Sequence, residues 1–197
     1  MKKNIIPQAL SVSKEERKKM NKHNSFLILL TGFSGSGKST IADALDVHFC
    51  EQGIRSVVLD GDNLRNGLNR DLNFSPASRS ENLRRVGEVS KLFVDTGIIT
   101  IASFVAPYVK DRDHIKNIMG SENYFEIFVS TSIEECERRD VKGLYAKVRK
   151  GEIKNFTGID APYEKPTNPD MEINTENKEI SRIVEAIVLK LNDKIKL

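Results

Sequence analysis

The hydrophobic pattern begins with Phe26 to Thr31, FLILLT, apolar but for its last member, and this predicts a fully buried strand. Beyond Lys38 the period turns helical, with Ile41, Ala42, Leu45 and Phe49 on one face and a stop at Gly53. Ser56 to Leu59, SVVL, predicts a second buried strand. Residues 79 to 95 predict a helix whose inner face carries Leu83, Val86, Val89, Ser90 and Phe93, ended by Gly97. Ile98 to Val105 is the third strand-like run, and Tyr124 to Val129 the fourth. Between them lies a polar helical segment, Pro107 to Gly120. Ser132 is placed to cap a helix reaching about Arg139, with Glu135 completing a capping box. Met171 to Ile173 predicts a short fifth strand, and Ile180, Ile183, Val184, Ile187, Val188 and Leu191 face one side of a last helix. Five strands alternating with helices predict an α/β protein: a five-stranded parallel sheet with helices on both faces.

The start of the chain differs. Residues 1 to 24 are polar and lysine-rich, and Ser13 with Glu16 forms a capping-box pair that predicts a short exposed helix from Ser13 to Met20. A solvated arm is the alternative. The expected organisation is an N-terminal arm over 1–24 and a single domain over 25–197, with a lid at about 140–169. No internal repeat or low-complexity linker divides the chain.

Between the first strand and its helix stands Gly32-Phe33-Ser34-Gly35-Ser36-Gly37-Lys38-Ser39, followed by Thr40, which fits G-x-x-x-x-G-K-[ST]. Glycines let the backbone turn with positive φ and approach a ligand closely. Inward N–H groups then cradle phosphate oxygens, assisted by the helix N-terminus. Lys38 suits the β- and γ-phosphates, and the Ser39 hydroxyl suits Mg²⁺. The alternative is a chance glycine-rich turn, against which the strand before and the helix after both count.

The second strand ends in Asp60-Gly61-Asp62-Asn63, where ligands bind in open α/β sheets. Two carboxylates there can serve a metal or act as a general base; they also fit a turn with a helix cap. Arg65, Arg70, Arg79, Arg84 and Arg85 follow, with Phe74 in a Pro- and Asn-containing loop. That set suits an anionic ligand carrying a base, and each arginine also fits a solvated helix surface. The lone His114 reads as a surface residue. From Asp140 to Pro169 basic residues crowd together with Gly143, Gly151 and Gly158, which reads as a mobile lid over polyphosphate or as a solvated helix-loop surface. Phe156 in this stretch is a second loop aromatic, able in principle to sandwich a base against Phe74.

Composition narrows the class. The 197 residues suffice for one domain with a sizeable core. Net charge is +3 from 31 basic and 28 acidic residues, too balanced for a nucleic-acid binder. Cys50 and Cys136 lack metal spacing and suit free thiols in a reducing cytoplasm, although a disulfide between them is open. No apolar run reaches membrane-spanning length, and the apolar stretch after Met1-Lys2-Lys3 is too short for a signal-peptide core.

Several blocks together resemble the adenylylsulfate kinase family. They are Thr31 to Thr40, Leu59 to Leu68 with Asp71-Leu72 and Phe74-Ser75, Glu81 to Val89, Asp140 to Tyr145 and Asn155 to Glu164. The phosphate loop is widely shared; the Asp-Gly-Asp-Asn-x-Arg and Phe-Thr-Gly-Ile-Asp blocks are more particular. The resemblance implies a P-loop nucleoside-triphosphate hydrolase-like three-layer fold with a basic lid. It also implies transfer of phosphate from ATP, with Mg²⁺, to the 3′-hydroxyl of adenosine 5′-phosphosulfate. By that resemblance Gly32 to Thr40, Arg139 and Lys142 bind ATP, and Ser39 and Asp60 lie near the metal. Asp62 is the base, while Asp60, Asp62, Arg65, Phe74, Arg79, Asn82 and Phe156 contact the acceptor. A homodimer, and action beside a sulfurylase, are implied too. One departure stands out. Many members carry Ser where this chain has Ala106, in Ser103-Phe104-Val105-Ala106-Pro107-Tyr108, and a phosphoserine intermediate has been attributed to that serine. Alanine implies direct in-line transfer. Two further readings are another small-molecule kinase on the same fold and a non-catalytic nucleotide-binding module.

Overall fold

A computed structural model describes residues 6, 8 and 10–197; the basic Met1-Lys2-Lys3 stretch lies outside the described residues. Strand β1 (Leu27–Thr31) is buried at every position and runs between parallel neighbours on both sides. Its side chains alternate. Phe26, Ile28 and Leu30 enter the same cluster as Ile41, Leu45 and Phe49 of helix α2 (Lys38–Glu51) and Ile183, Ile187 and Leu191 of α8 (Ile180–Ile195). Leu27 and Leu29 join Leu83, Val86 and Val94 of α4 (Pro76–Asp95) and Ile115 and Met119 of α5 (Val109–Met119). The period of two thus builds two cores, one on each face. Each fully buried Leu, Ile or Phe contributes about 1.5–3 kcal/mol over its exposed state.

The sheet is completed by β2 (Ser56–Asp60), β3 (Ile99–Ser103), β4 (Tyr124–Val129) and β5 (Met171–Ile173), in the order β2-β3-β1-β4-β5, all parallel. The chain leaves β1 towards one side of the sheet and later returns to the other. The C-terminal end of β1 is therefore a topological switch point, where open α/β sheets bind ligands.

Local chemistry sets the boundaries. Helix α1 (Lys14–Asn21) carries the expected capping box between Ser13 and Glu16. It is tethered to the body: Lys14 Nζ donates to Asn123 Oδ1 at 2.8 Å, and Asn21 Nδ2 to the Gly97 carbonyl at 2.8 Å. Gly97 has φ +87°, and a Cβ there would press on the Asn21 amide at 2.5 Å, so glycine both ends α4 and admits the arm. Helix α4 starts at Pro76, three residues before the predicted start, because Ser75 caps it by accepting from Ser78 N and proline suits the first turn. Strand β3 is shorter than predicted at both ends, and Phe104, Val105 and Ala106 continue as non-strand chain towards the site. Ser132 caps α6 (Ile133–Arg139), but the Glu135 carboxylate does not close the box; it bonds Arg138 and Arg139. Two short helices were not predicted, α3 (Gly61–Asn66) and α7 (Leu144–Arg149).

Candidate active site

The glycine-rich loop turns from β1 into α2 with Gly32 at φ +152°, Gly35 at +78° and Gly37 at +96°. A Cβ on Gly32 would collide with the Val129 carbonyl of β4, so no side chain fits there. Lys38 opens α2 and is 7% exposed; its Nζ donates to the Phe33 carbonyl at 2.7 Å. Burial is the main cause that pushes its pKa down from 10.5 to about 8.

Asp60 at the tip of β2 takes the helix-cap role that the sequence offered, and it also reaches the end of the glycine-rich loop. It is the N-cap of α3, with Oδ1 accepting from Asp62 N at 3.0 Å, and its Oδ2 accepts from the Ser39 hydroxyl at 2.7 Å. Ser39 Oγ also lies 3.3 Å from Ser103 Oγ at the tip of β3. Two hard oxygen ligands at the end of the phosphate loop fit Mg²⁺, which takes one or two protein oxygens and leaves the rest to phosphates and water. Among the described residues no cluster of three or more His, Cys, Asp or Glu offers a fuller metal cage. Two residues on, Asp62 Oδ2 accepts from Lys142 Nζ of the basic stretch at 2.5 Å, both side chains being more than half exposed. An exposed pair of this kind is worth about 0–1 kcal/mol and is readily exchanged for another partner.

One cavity of about 290 Å³ gathers Ser34, Gly35, Gly37, Lys38, Ser39, Thr40, Asp60, Asp62, Arg65, Phe74, Arg79, Asn82 and Lys142. That size is near the lower end for a small-ligand site. Arg65 lies with Cζ 4.4 Å from the Phe74 ring centroid and donates to the Asn73 carbonyl at 3.1 Å. Arg79 donates to the Phe74 carbonyl at 2.9 Å, and to the Asn155 carbonyl and Thr157 Oγ1 at 2.6 Å each. It therefore ties the Phe74 loop to the stretch that carries Phe156. Arg84 and Arg85 pair with Glu81, and Arg85 also with Asp71, so for these two the surface reading holds. His114 is exposed.

Five expected residues stand outside the cavity wall. Gly32 packs on Val129, and the Ser36 carbonyl accepts from Thr131 and Thr175. The Phe33 ring lies 5.0 Å from the Tyr163 ring. The Arg139 guanidinium is engaged by Glu135 and by Thr175 Oγ1 at 2.8 Å. Phe156 meets Tyr145 edge-on, with centroids 5.0 Å apart, and it is Tyr145 that borders the cavity. Sequence reasoning missed Tyr145, whose hydroxyl donates to the Ser34 carbonyl of the phosphate loop at 2.8 Å.

It missed Arg112 as well. This guanidinium is 3% exposed; it pairs with Glu126 of β4 at 2.9 Å and donates to the carbonyls of Ala106 at 2.7 Å and Glu164 at 2.8 Å. The Asp-Arg-Asp run offered only the general rule that a charge is buried when it is fully paired. Arg112 holds Ala106, at φ +45°, in the cavity wall.

Residues 24–174 match the family of adenylylsulphate kinases. An adenylyl-sulfate kinase of Oceanobacillus iheyensis is 50% identical over 191 residues, 97% of this chain and 96% of that one. An adenylyl-sulfate kinase of Staphylococcus carnosus is 50% identical over 190 residues, 96% of each chain. The structure of the Mycobacterium tuberculosis APS kinase CysC in complex with AMPPNP and APS superposes with a TM-score of 0.82 at 42% identity, covering 86% of this chain and 98% of that one. A parallel sheet with a glycine loop at its switch point, two acids on the next strand tip and near-full-length relatives lead to one conclusion: the chain belongs to the adenylylsulphate kinase family.

Proposed function

We propose that this chain transfers the γ-phosphoryl group of ATP to the 3′-hydroxyl of adenosine 5′-phosphosulfate, giving ADP and 3′-phosphoadenosine 5′-phosphosulfate. The observation that carries the proposal is Lys38 and Asp62 in the wall of one cavity, with the Ser39–Asp60 oxygen pair beside them. Residues Gly32 to Thr40 and Lys38 Nζ hold the ATP phosphates. Ser39 and Asp60 are the residues that would hold Mg²⁺, which when bound neutralises charge on the β- and γ-phosphates. Asp62 takes the proton from the 3′-hydroxyl. The ribose oxygen forms its bond to the γ-phosphorus as the bond from that phosphorus to the β–γ bridging oxygen breaks. Arg65, Arg79 and Asn82 bind the acceptor's anionic groups; Phe74 and Phe156 stack on its adenine. Lys142 and Arg139 reach phosphate as residues 140–169 close. Lys142 now occupies Asp62, so its move onto phosphate frees the base.

The test is ADP release from ATP and Mg²⁺ with adenosine 5′-phosphosulfate against AMP, shikimate and gluconate. Rapid turnover with the sulfonucleotide alone is expected, and equal turnover with another acceptor sinks the proposal. Ala106 in the cavity wall offers no nucleophile, so transfer is direct. Rapid mixing with γ-labelled ATP is expected to label the acceptor and leave the protein unlabelled; a stoichiometric phosphoseryl protein is the contrary outcome.

Lys38 adds a pH dependence. Phosphate binding needs the ammonium form, and the free protein loses that proton above about pH 8. Binding above that pH takes up a proton, so the ATP dissociation constant is expected to rise about tenfold from pH 7 to pH 9. Calorimetry in two buffers of different ionisation enthalpy measures the proton uptake directly.

The wider proposals are an arm over 1–24 on a single domain over 25–197, a homodimer, action beside a sulfurylase, and a cytoplasmic setting. Among the described residues no helix is long and apolar enough to cross a membrane. Exposed Met20 and Leu92 are among the large apolar side chains available to a second copy, and light scattering after gel filtration decides the oligomeric state.

A further inference from the structure

Asn82 lies on α4, 4% exposed, with its side chain at the cavity wall. Behind it Asn69, in the turn after α3, is completely buried. The Asn69 main chain is fixed on both sides: its N–H donates to the Leu64 carbonyl at 2.8 Å and its carbonyl accepts from Leu72 at 3.0 Å. Among the described residues its side chain makes one bond, Nδ2 to Asn82 Oδ1 at 2.9 Å, which leaves Asn69 Oδ1 buried without a partner there.

An amide's orientation follows from its hydrogen-bond network. If both amides were turned over, Asn82 would donate to Asn69 Oδ1, and the Asn69 nitrogen would bury two unpaired N–H groups. Unpaired buried N–H groups are rarer in folded proteins than an under-satisfied carbonyl oxygen. The observed arrangement is therefore the cheaper one. It has a consequence in the cavity. Asn82 Oδ1 is committed to Asn69, while Asn82 Nδ2 has no protein acceptor among the described residues and is not sealed away.

We infer that Asn69 is a positioning residue that fixes the Asn82 amide with its NH₂ towards the cavity, so that Asn82 offers donors and no acceptor to the substrate. A donor-only amide fits an oxygen-rich acceptor such as the sulfate and phosphate of a sulfonucleotide. It discriminates against a ligand that presents N–H or O–H at that point, because two donors would then face each other. The inference rests on the reading of Asn82 as an acceptor-site residue.

Three variants separate the cases. Asn82→Ala tests the underlying reading. Asn69→Asp cannot donate as a carboxylate and instead invites Asn82 Nδ2 to turn away from the cavity. Asn69→Leu keeps the branching and the number of heavy atoms in a somewhat bulkier side chain, removes the unpartnered carbonyl and leaves the Asn82 amide free to rotate. For Asn69→Asp the KM for adenosine 5′-phosphosulfate is expected to rise about tenfold, the effect of one lost hydrogen bond to a charged group. Asn69→Leu should raise it about threefold, since only part of the oriented population is lost. KM for ATP and kcat per folded molecule should stay within about twofold in both. A merely structural role instead lowers the folded fraction, read by thermal melting and active-site titration, and leaves the acceptor KM alone. If Asn82→Ala raises the acceptor KM and neither Asn69 variant does, the inference fails by itself. An unchanged KM in Asn82→Ala removes the reading beneath it and the inference together.

Discussion

Lys38→Ala is expected to lower kcat about 10²–10³-fold, the usual cost of losing one preorganised charge at a phosphoryl transition state. The same change should leave the fold intact. Lys38 is buried at the head of α2 and donates to the Phe33 carbonyl and, at 3.4 Å, to Ser36 Oγ, and among the described residues no carboxylate bonds it. Its pKa falls from 10.5 to about 8, so the folded chain disfavours the charged form. The sign follows from linkage. Below pH 8 the lysine is charged in both folded and unfolded states, and its burial opposes folding in full. Between pH 8 and 10.5 the folded state releases the proton first, so stability gains from this site as pH rises through that window. Alanine removes both the penalty and its pH dependence. Without nucleotide at pH 7, the melting temperature of Lys38→Ala should equal or exceed that of the wild type. With Mg²⁺ and ATP the order should reverse, because ligand stabilisation scales with affinity. Near-normal turnover of the variant would remove Lys38 from the phosphate site.

What the sequence disclosed and what it hid follow one physical line. Strand β1 was legible because a strand covered on both faces must be apolar almost throughout, and Phe26 to Leu30 is, with Thr31 the one polar member at its end. The phosphate loop was legible because its backbone demands glycine at fixed spacing, as at Gly32. Helices α3 and α7 were not legible. Six residues make less than two turns, too few to show a period. Their capping came from Asp60, and from Asp140, which accepts the main-chain N–H groups of Tyr145 and Ala146. Arg65 and Arg79 could be nominated from type and position. That Arg79 would bind Asn155 and Thr157, more than seventy residues on, had no local signature. Arg112 was hidden most completely. Amid Asp111, Asp113 and His114 it reads as solvated charge, and only the fold brings Glu126 and two carbonyls around it. The residues read correctly have self-contained local reasons; those missed depend on partners supplied by distant chain.

Asp62→Asn is expected to lower kcat about 10²–10⁴-fold, the contribution of a positioned general base, with the acceptor KM within a few-fold of wild type. Asparagine keeps the size and can still bond a hydroxyl, but it takes up no proton. Stability should change little, since among the described residues the one side-chain partner of Asp62 is exposed Lys142, and such pairs contribute about 0–1 kcal/mol. Asp60→Asn provides the contrast. Asp60 accepts from Ser39 and caps α3; its change to asparagine should raise the Mg²⁺ concentration for half-maximal rate and leave stability nearly unchanged, because asparagine caps a helix about as well as aspartate. The pair of variants assigns the two acids. A kcat defect that excess Mg²⁺ does not repair in Asp62→Asn, beside one that Mg²⁺ largely repairs in Asp60→Asn, identifies Asp62 as the base. The reverse pattern exchanges their roles. Full turnover in Asp62→Asn leaves neither a base at that position nor a reason for Lys142 to guard it, and the chain would then be a kinase that does not use this acid.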